Sequence, residues 1–487
     1  MTSQSNRTIP AASPAPGPAF VFSPELRRIS IVIVIGAIAS LLDSTIVNIA
    51  VRTLSADLHS SLDTIQWVVT AYLLGLAAVI PATGWLARRV GARRLYLVSI
   101  ALFALGSLLC GLSRAAPELI AFRALQGAAG GMTLPVGQII LAKKAGPQNM
   151  ARVMSVVGIP MVLTPVIGPT VGGLLLQYAG WRWIFFVNLP IGLAGAISGR
   201  WLLPADQPEA AGSFDWPGLL AVSAGMVGVT YGLAELGTSG KATAAVIVSL
   251  VGGVALVATF AWHALRARRP LLDVRLYRDR AFSAASLATL CLGAAMYGGM
   301  ILMPLYFQTV RHESVVTTGL LLSPSGLGAV AAMWLSGRST ERFGSGVTAV
   351  LGGLINIAAT LPFVLITAGS SYALLCSALV VRGFGIGMSM VPAMTAAYRV
   401  LGREKINDAT PQLSILQRVG GSIGTAIIVV VLQDRLEHSS TLSEQAHSYG
   451  VAFWWVLAVT GAALLSTVAL ALIERPVFAA QRAQRRN

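Results

Sequence analysis

The chain has 487 residues, of which 55% are apolar and only 11% charged. A soluble domain carries about 25% charge, so a string of two or three soluble domains is excluded. The net charge of +16 would suit nucleic acid, but the basic residues sit in every second loop, a distribution that excludes nucleic acid and fits membrane anchoring.

Residues 1–28 are rich in Ala, Pro and Ser and lack an apolar core, so they read as a disordered cytoplasmic tail and not as a cleavable signal. A membrane crossing needs roughly 20 apolar residues. Fourteen such segments follow, beginning near Ile29, Thr64, Leu95, Pro117, Val153, Trp183, Trp216, Ala244, Ala281, Thr317, Val347, Ser371, Gln412 and Val451. Of the 35 Lys and Arg residues, 26 lie in the two tails and the even-numbered loops, and 6 in the opposite loops. That asymmetry predicts both termini in the cytoplasm. Cys110, Cys291 and Cys376 all fall inside apolar segments, with no metal-ligand spacing.

The chain also repeats itself. Gly84-Trp-Leu-Ala-Arg-Arg-Val-Gly91 matches Gly337-Arg-Ser-Thr-Glu-Arg-Phe-Gly344 at Gly, Arg and Gly, 253 residues on. Arg123 and its glycines match Arg382 with Gly383, Gly385 and Gly387. The stripe around Gly168 matches Gly420, Gly421 and Gly424. Three landmarks in one order imply a duplicated six-helix half. The expected fold is an all-α polytopic membrane protein of 14 transmembrane helices, two pseudo-symmetric six-helix bundles plus two extra helices between them. The boundaries are a six-helix bundle over 29–203, two additional helices over 204–265, a basic cytoplasmic linker over 266–280, a six-helix bundle over 281–473 and a basic cytoplasmic tail over 474–487. Parallel halves rocking about a midplane site are a common transporter plan.

Several motifs make this chain resemble the major facilitator superfamily, and within it the fourteen-helix drug:proton antiporter branch. They are Leu42-Asp43-Ser-Thr-Ile-Val-Asn48 in the first segment, Gly84 to Arg94 in the loop, Arg123-Ala-Leu-Gln126-Gly127 in the fourth segment, Gly158 to Gly173 in the fifth, Trp181 to Pro190, and Asp215-Trp216-Pro-Gly218. The resemblance runs from about Ile29 to Ile473. It implies proton-coupled export of small amphipathic molecules, of the multidrug efflux type, from a bacterial cytoplasmic (inner) membrane by a monomeric transport unit.

The residues give those roles physical content. Asp43 is a carboxylate deep in the first crossing, where insertion costs about 2.5–3.5 kcal/mol, so it is the expected proton carrier. Arg123 cannot shed its charge and must face a cavity or a partner; the resemblance ties it to proton transfer, and it is expected to bias Asp43. Gln126 and Gly127 follow on its helical face. Gly158, Pro165, Gly168, Pro169 and Gly172 form a small-residue stripe for close helix approach and bending, which the resemblance implies limits leak between the halves. The loop motif supplies Gly84, Arg89, Gly91 and Arg93. The superfamily usually has an aspartate after Leu-Ala; Arg88 stands there instead, and Glu341, beside Arg342 in the repeated loop, is a candidate replacement for the missing acid. Substrate-contact candidates are Gln66, Trp67, Tyr72, Tyr297, Met300, Tyr306 and Gln308, as adaptable apolar walls with polar handles. Asp43 and Glu235 are the only acids expected in the crossings, so neutral, amphipathic or anionic cargo fits at least as well as polycations.

No phosphate-cradling Gly-x-x-x-x-Gly-Lys-Ser/Thr sequence occurs, so no cofactor or metal is expected and the proton gradient is the driver. One pH unit with 100 mV sustains roughly a 500-fold gradient per proton for neutral cargo. The expected partners are the lipid bilayer, protons and a small-molecule substrate. A dedicated exporter of a metabolite, antibiotic, siderophore or lipid is the alternative on the same fold, and a non-transporting receptor or scaffold the remote one. An intramembrane enzyme lacks its motifs, since His312-Glu313 has no second histidine.

Overall fold

The computed structural model describes residues 23–486, apart from 207, 210–211, 400 and 402–404. The tail expected over 1–28 lies outside the described residues as far as residue 22. Residues 24–28 belong instead to the first helix, because Ser23 caps it and Pro24 occupies its first position.

Every regular element among the described residues is helical. The N-terminal half contains α1 (Pro24–Asp57), α2 (Leu62–Val79), α3 (Thr83–Val90), α4 (Ala92–Leu112), α5 (Ala116–Tyr178), α6 (Arg182–Phe186) and α7 (Asn188–Leu202). Then come α8 (Trp216–Ser239) and α9 (Ala244–Arg266). The C-terminal half contains α10 (Arg280–Thr309), α11 (Val315–Phe343), α12 (Ser345–Val364), α13 (Tyr372–Arg399), α14 (Ile406–Glu437) and α15 (Leu442–Arg486). Short polar residues set many starts: Ser61, Asp215, Thr243, Asp279 and Ser314 each accept from a first-turn N–H of α2, α8, α9, α10 and α11. Among the described residues, 12 helices are long and apolar enough to cross a membrane.

Helix α5 stands apart at 63 residues. As a straight rod it would separate its residues 126 and 168 by about 63 Å. Yet Gln126 bonds Asp43, and Gly168 packs against Leu42 and Thr45, all within one turn of α1. Its first arm runs antiparallel to α1, with Gly137 against Ile33 and Arg123 against Asp43. Its second arm runs parallel, with Gly168 on Thr45 and Gly172 on Ile46 and Ile49. The path therefore doubles back between the arms.

The two halves pack alike. Helices α2 and α4 lie on α5 as α11 and α12 lie on α13, and α1 lies on α5 as α10 lies on α14. Gly91 and Gly344, which end the repeated loop segment, share one backbone conformation, φ 88° with ψ 138° and φ 97° with ψ 161°. Both values lie where a side chain would be strained. At the end of the molecule where α1 begins, one apolar core spans both halves, joining Ile33, Tyr96 and Ile139 to Phe282, Met333, Tyr398 and Leu413. At the opposite end each half keeps its own core, one around Ile46, Ile65 and Phe185, the other around Tyr306, Phe363 and Phe453.

The pair α8 and α9 pack on each other, and α8 lies on both halves. Trp67 of α2 stacks on Tyr231 of α8 at 5.7 Å between ring centroids. Ser223 of α8 donates to the Ala78 carbonyl at 2.6 Å. Val222 and Met226 share an apolar cluster with Ile415 and Val419 of α14.

Candidate functional site

A fully buried charged site lies inside the first half. Helix α1 places Asp43 there with 0% exposure, and the first arm of α5 places Arg123 with 1%. Arg123 Nη1 donates to Asp43 Oδ2 at 2.5 Å. Gln126 Nε2 and Asn188 Nδ2 donate to Asp43 Oδ1 at 3.0 and 2.8 Å. The carboxylate thus has three donors from two further helices, α5 and α7. Arg123 also donates to Gln126 Oε1 at 2.8 Å and to the Val68 carbonyl at 3.1 Å. Ser107 of α4 closes the ring, accepting from Gln126 and Asn188 at 3.0 Å each. Tyr72 lays its ring 4.1 Å from the guanidinium carbon, and its hydroxyl donates to the Ser40 carbonyl at 3.0 Å. Gly127 lies against the Tyr72 backbone, which is how α2 and α5 come close enough for that contact.

A buried ion pair of this kind is held by its surrounding hydrogen bonds as much as by Coulomb attraction. One added proton on Asp43 would neutralise the acid and leave the Arg123 cation without its counter-ion. The network therefore has two electrostatic arrangements separated by one proton.

The loop motif sits where the halves meet. Gly84 packs against the Asn407 backbone of α14, so α3 and α14 touch almost without side chains. Arg88 Nη1 bonds Asp408 Oδ1 at 2.9 Å across the halves. Asp206 accepts from the N–H groups of Ala92 and Arg93 at the start of α4, and Arg93 also bonds the Arg200 carbonyl. Glu209 donates its N–H to the Arg88 carbonyl at 2.8 Å, and its carboxylate pairs with Lys143 at 2.6 Å. Arg89 is exposed, and Glu341 and Arg342 of α11 are half-buried and exposed. The acid that faces Arg88 is Asp408.

The fifth-segment stripe divides its work. Gly168 and Gly172 face α1, whereas Gly158 faces Met333 of α11 and Val391 of α13 in the other half. A single stripe was expected, but at 100° per residue Gly158 and Gly168 differ by about 80° around the helix. The side chains of Pro165 and Pro169 lie outside the described residues.

The substrate-contact candidates do not converge. Tyr72 belongs to the ion-pair site. Trp67 meets α8, and Gln66 is exposed. Tyr306 is buried with its hydroxyl on the Thr367 carbonyl at 2.6 Å, and Tyr297 packs against Gly421. Met300 and Gln308 line a cavity of about 130 Å³ between α10, α11 and α13, together with Arg382. Sequence reasoning passed over Ser107, Cys110 and Asn188 as site residues. The Cys110 thiol donates to Gln126 Oε1 at 3.5 Å. The signal available for Asn188 was an amide inside an apolar segment.

A helical bundle with a charged pair buried between apolar helices and joined halves defines a multi-pass membrane transporter. The chain belongs to the major facilitator superfamily: the model of that family matches residues 33–425. It is 40% identical over 86% of its length, and 78% of the relative's, to a "Multidrug resistance protein B homolog" of Mycobacterium tuberculosis. It is 32% identical to a "Putative multidrug resistance protein MdtD" of Cronobacter sakazakii, over 88% of this chain and 90% of that one. Two solved structures share the fold. The human organic anion transporter MFSD10 aligns with TM-score 0.62 at 15% identity, covering 92% of this chain and 99% of that one. The proton:xylose symporter XylE aligns with TM-score 0.60 at 13% identity, covering 91% and 95%.

Proposed function

We propose that this protein is a proton-coupled antiporter that exports small amphipathic molecules from a bacterial cytoplasmic membrane by alternating access. The observation that carries the reading is the Asp43–Arg123 pair, 2.5 Å apart and closed off from solvent in the first half. A lone structural pair would be an expensive way to hold α1 to α5, since apolar residues of similar size do so as well or better. A pair that one proton can rearrange has a use. The multidrug-resistance names of the relatives support export of drug-like cargo.

The reading has fourteen crossings, which the 12 apolar spans among the described residues and the two arms of α5 support. Both termini then lie on one side, the cytoplasmic side by the distribution of basic residues. The shared apolar core and the Arg88–Asp408 pair close that side. In the cycle, Asp43 takes a proton from outside as cargo leaves, and loses it inside as cargo binds. Proton and cargo need only favour opposite states.

The test is reconstitution in liposomes with an internal pH dye, an imposed pH gradient and a panel of cationic, neutral and anionic amphiphiles. Dissipation of the gradient by one compound in the wild type, lost in Asp43→Asn, is the expected result. Dissipation that persists in Asp43→Asn would sink the assignment of Asp43.

A further inference from the structure

Duplication has left the second half with the cation of the first but not its acid. Arg382 of α13 occupies the place that Arg123 holds in α5. It is 5% exposed. Its Nη2 reaches the Ala295 carbonyl at 3.4 Å, and its Nε has no partner. Among the described residues no carboxylate pairs with it. The facing helix α10 offers Gly299, where a Cβ would collide with the guanidinium. An arginine cannot neutralise itself by losing a proton, so a buried and half-bonded one calls for an anion from elsewhere.

The space beside it is suited to supply one. Arg382 lines the cavity of about 130 Å³ with Met296, Met300, Met303, Leu379 and Gln308. A cavity of roughly that size accepts one aromatic ring. Methionine walls adapt to differing shapes, and the planar guanidinium matches a carboxylate with two parallel hydrogen bonds. We infer that the second half carries a binding site for an amphipathic organic acid, its carboxylate on Arg382 and its ring or chain among the methionines. This rests on the export reading above and narrows its cargo to a class with an acid head and an apolar body. The two halves then divide the labour: Asp43 and Arg123 answer to the proton, and Arg382 answers to the cargo.

The test is equilibrium binding to the full-length protein in lipid nanodiscs, corrected against empty discs, with benzoate and its neutral analogue benzyl alcohol. The wild type is expected to prefer benzoate by about tenfold or more, the effect of a charge-assisted pair. Arg382→Gln is expected to remove that preference and leave benzyl alcohol binding unchanged, and Arg382→Lys to retain part of it. Gly299→Ala, which displaces the guanidinium without removing it, is expected to weaken benzoate alone. Equal binding of the two probes by the wild type would overturn the proposal. So would a preference that survives both Arg382→Gln and Gly299→Ala. The assay needs no transport, so it separates from the export reading. Intact benzoate preference with no coupled proton movement would sink antiport and leave the site standing.

Discussion

Arg88 on α3 and Asp408 on α14 join the two bundles at 2.9 Å, although 320 residues separate them in the chain. Where the superfamily's loop motif usually puts an acid on the first bundle, this chain puts a base, and the acid stands on the partner helix. The ion pair across the bundles therefore has its base on α3 and its acid on α14. Both side chains are largely shielded, at 16% and 18% exposure, so the cost of desolvating them offsets much of their attraction, and the pair fixes where the helices meet more than it stabilises them.

A charge swap tests this. Arg88→Asp and Asp408→Arg alone each place like charges across the seam and are expected to shift the population away from the closed state. The double swap is expected to restore it, with a coupling of about 1 kcal/mol, roughly fivefold in that equilibrium. Cross-linking of cysteines placed on α3 and α14 reads the outcome. No recovery in the double variant would mean that the pair does not set the seam.

The Asp43 network separates stability from coupling. Asp43→Asn keeps the shape but leaves Arg123 buried and unpaired, which costs about 3–5 kcal/mol. Its thermal midpoint in detergent is expected to fall well below that of the wild type. Adding Arg123→Gln removes the orphaned cation and is expected to recover most of the midpoint. Proton-coupled transport is expected to stay absent in the double variant. Transport that returned with stability would show the pair to be scaffolding.

Two glycines on α5 make a matched control. A Cβ at Gly127 would meet the Tyr72 backbone, whereas a Cβ at Gly173 meets nothing within 4 Å. Gly127→Ala is expected to push α2 off α5, disturb the Tyr72–Arg123 contact and lower the midpoint, with a cost of about 1–3 kcal/mol. Gly173→Ala is expected to be neutral or slightly stabilising. Equal midpoints for the two variants would remove the close approach at Gly127 as a determinant of the fold.

Charge made half of the site legible. A carboxylate and a guanidinium inside apolar runs are conspicuous because the bilayer penalises both, and Gln126 follows from helical spacing. Ser107 and Asn188 are neutral, common in such helices and cheap to bury once bonded; their place on Asp43 depends on how α4 and α7 meet α1, which no local pattern encodes. Asp408 was hidden for another reason. The apolar segment that begins near Gln412 leaves Asp408 outside it, and nothing local to that acid points to Arg88. Helix α14 starts earlier, at Ile406. The missing acid opposite Arg382 was visible as an absence of charge, but its meaning needed the cavity.

Helix α8 touches α2 through Trp67 and Ala78 and touches α14 through the cluster that includes Ile415. It is therefore seated on both bundles at once. Any relative motion of the two bundles has to carry α8 with it or slide past it, so this helix acts as a strap whose two footholds set how far the halves can part.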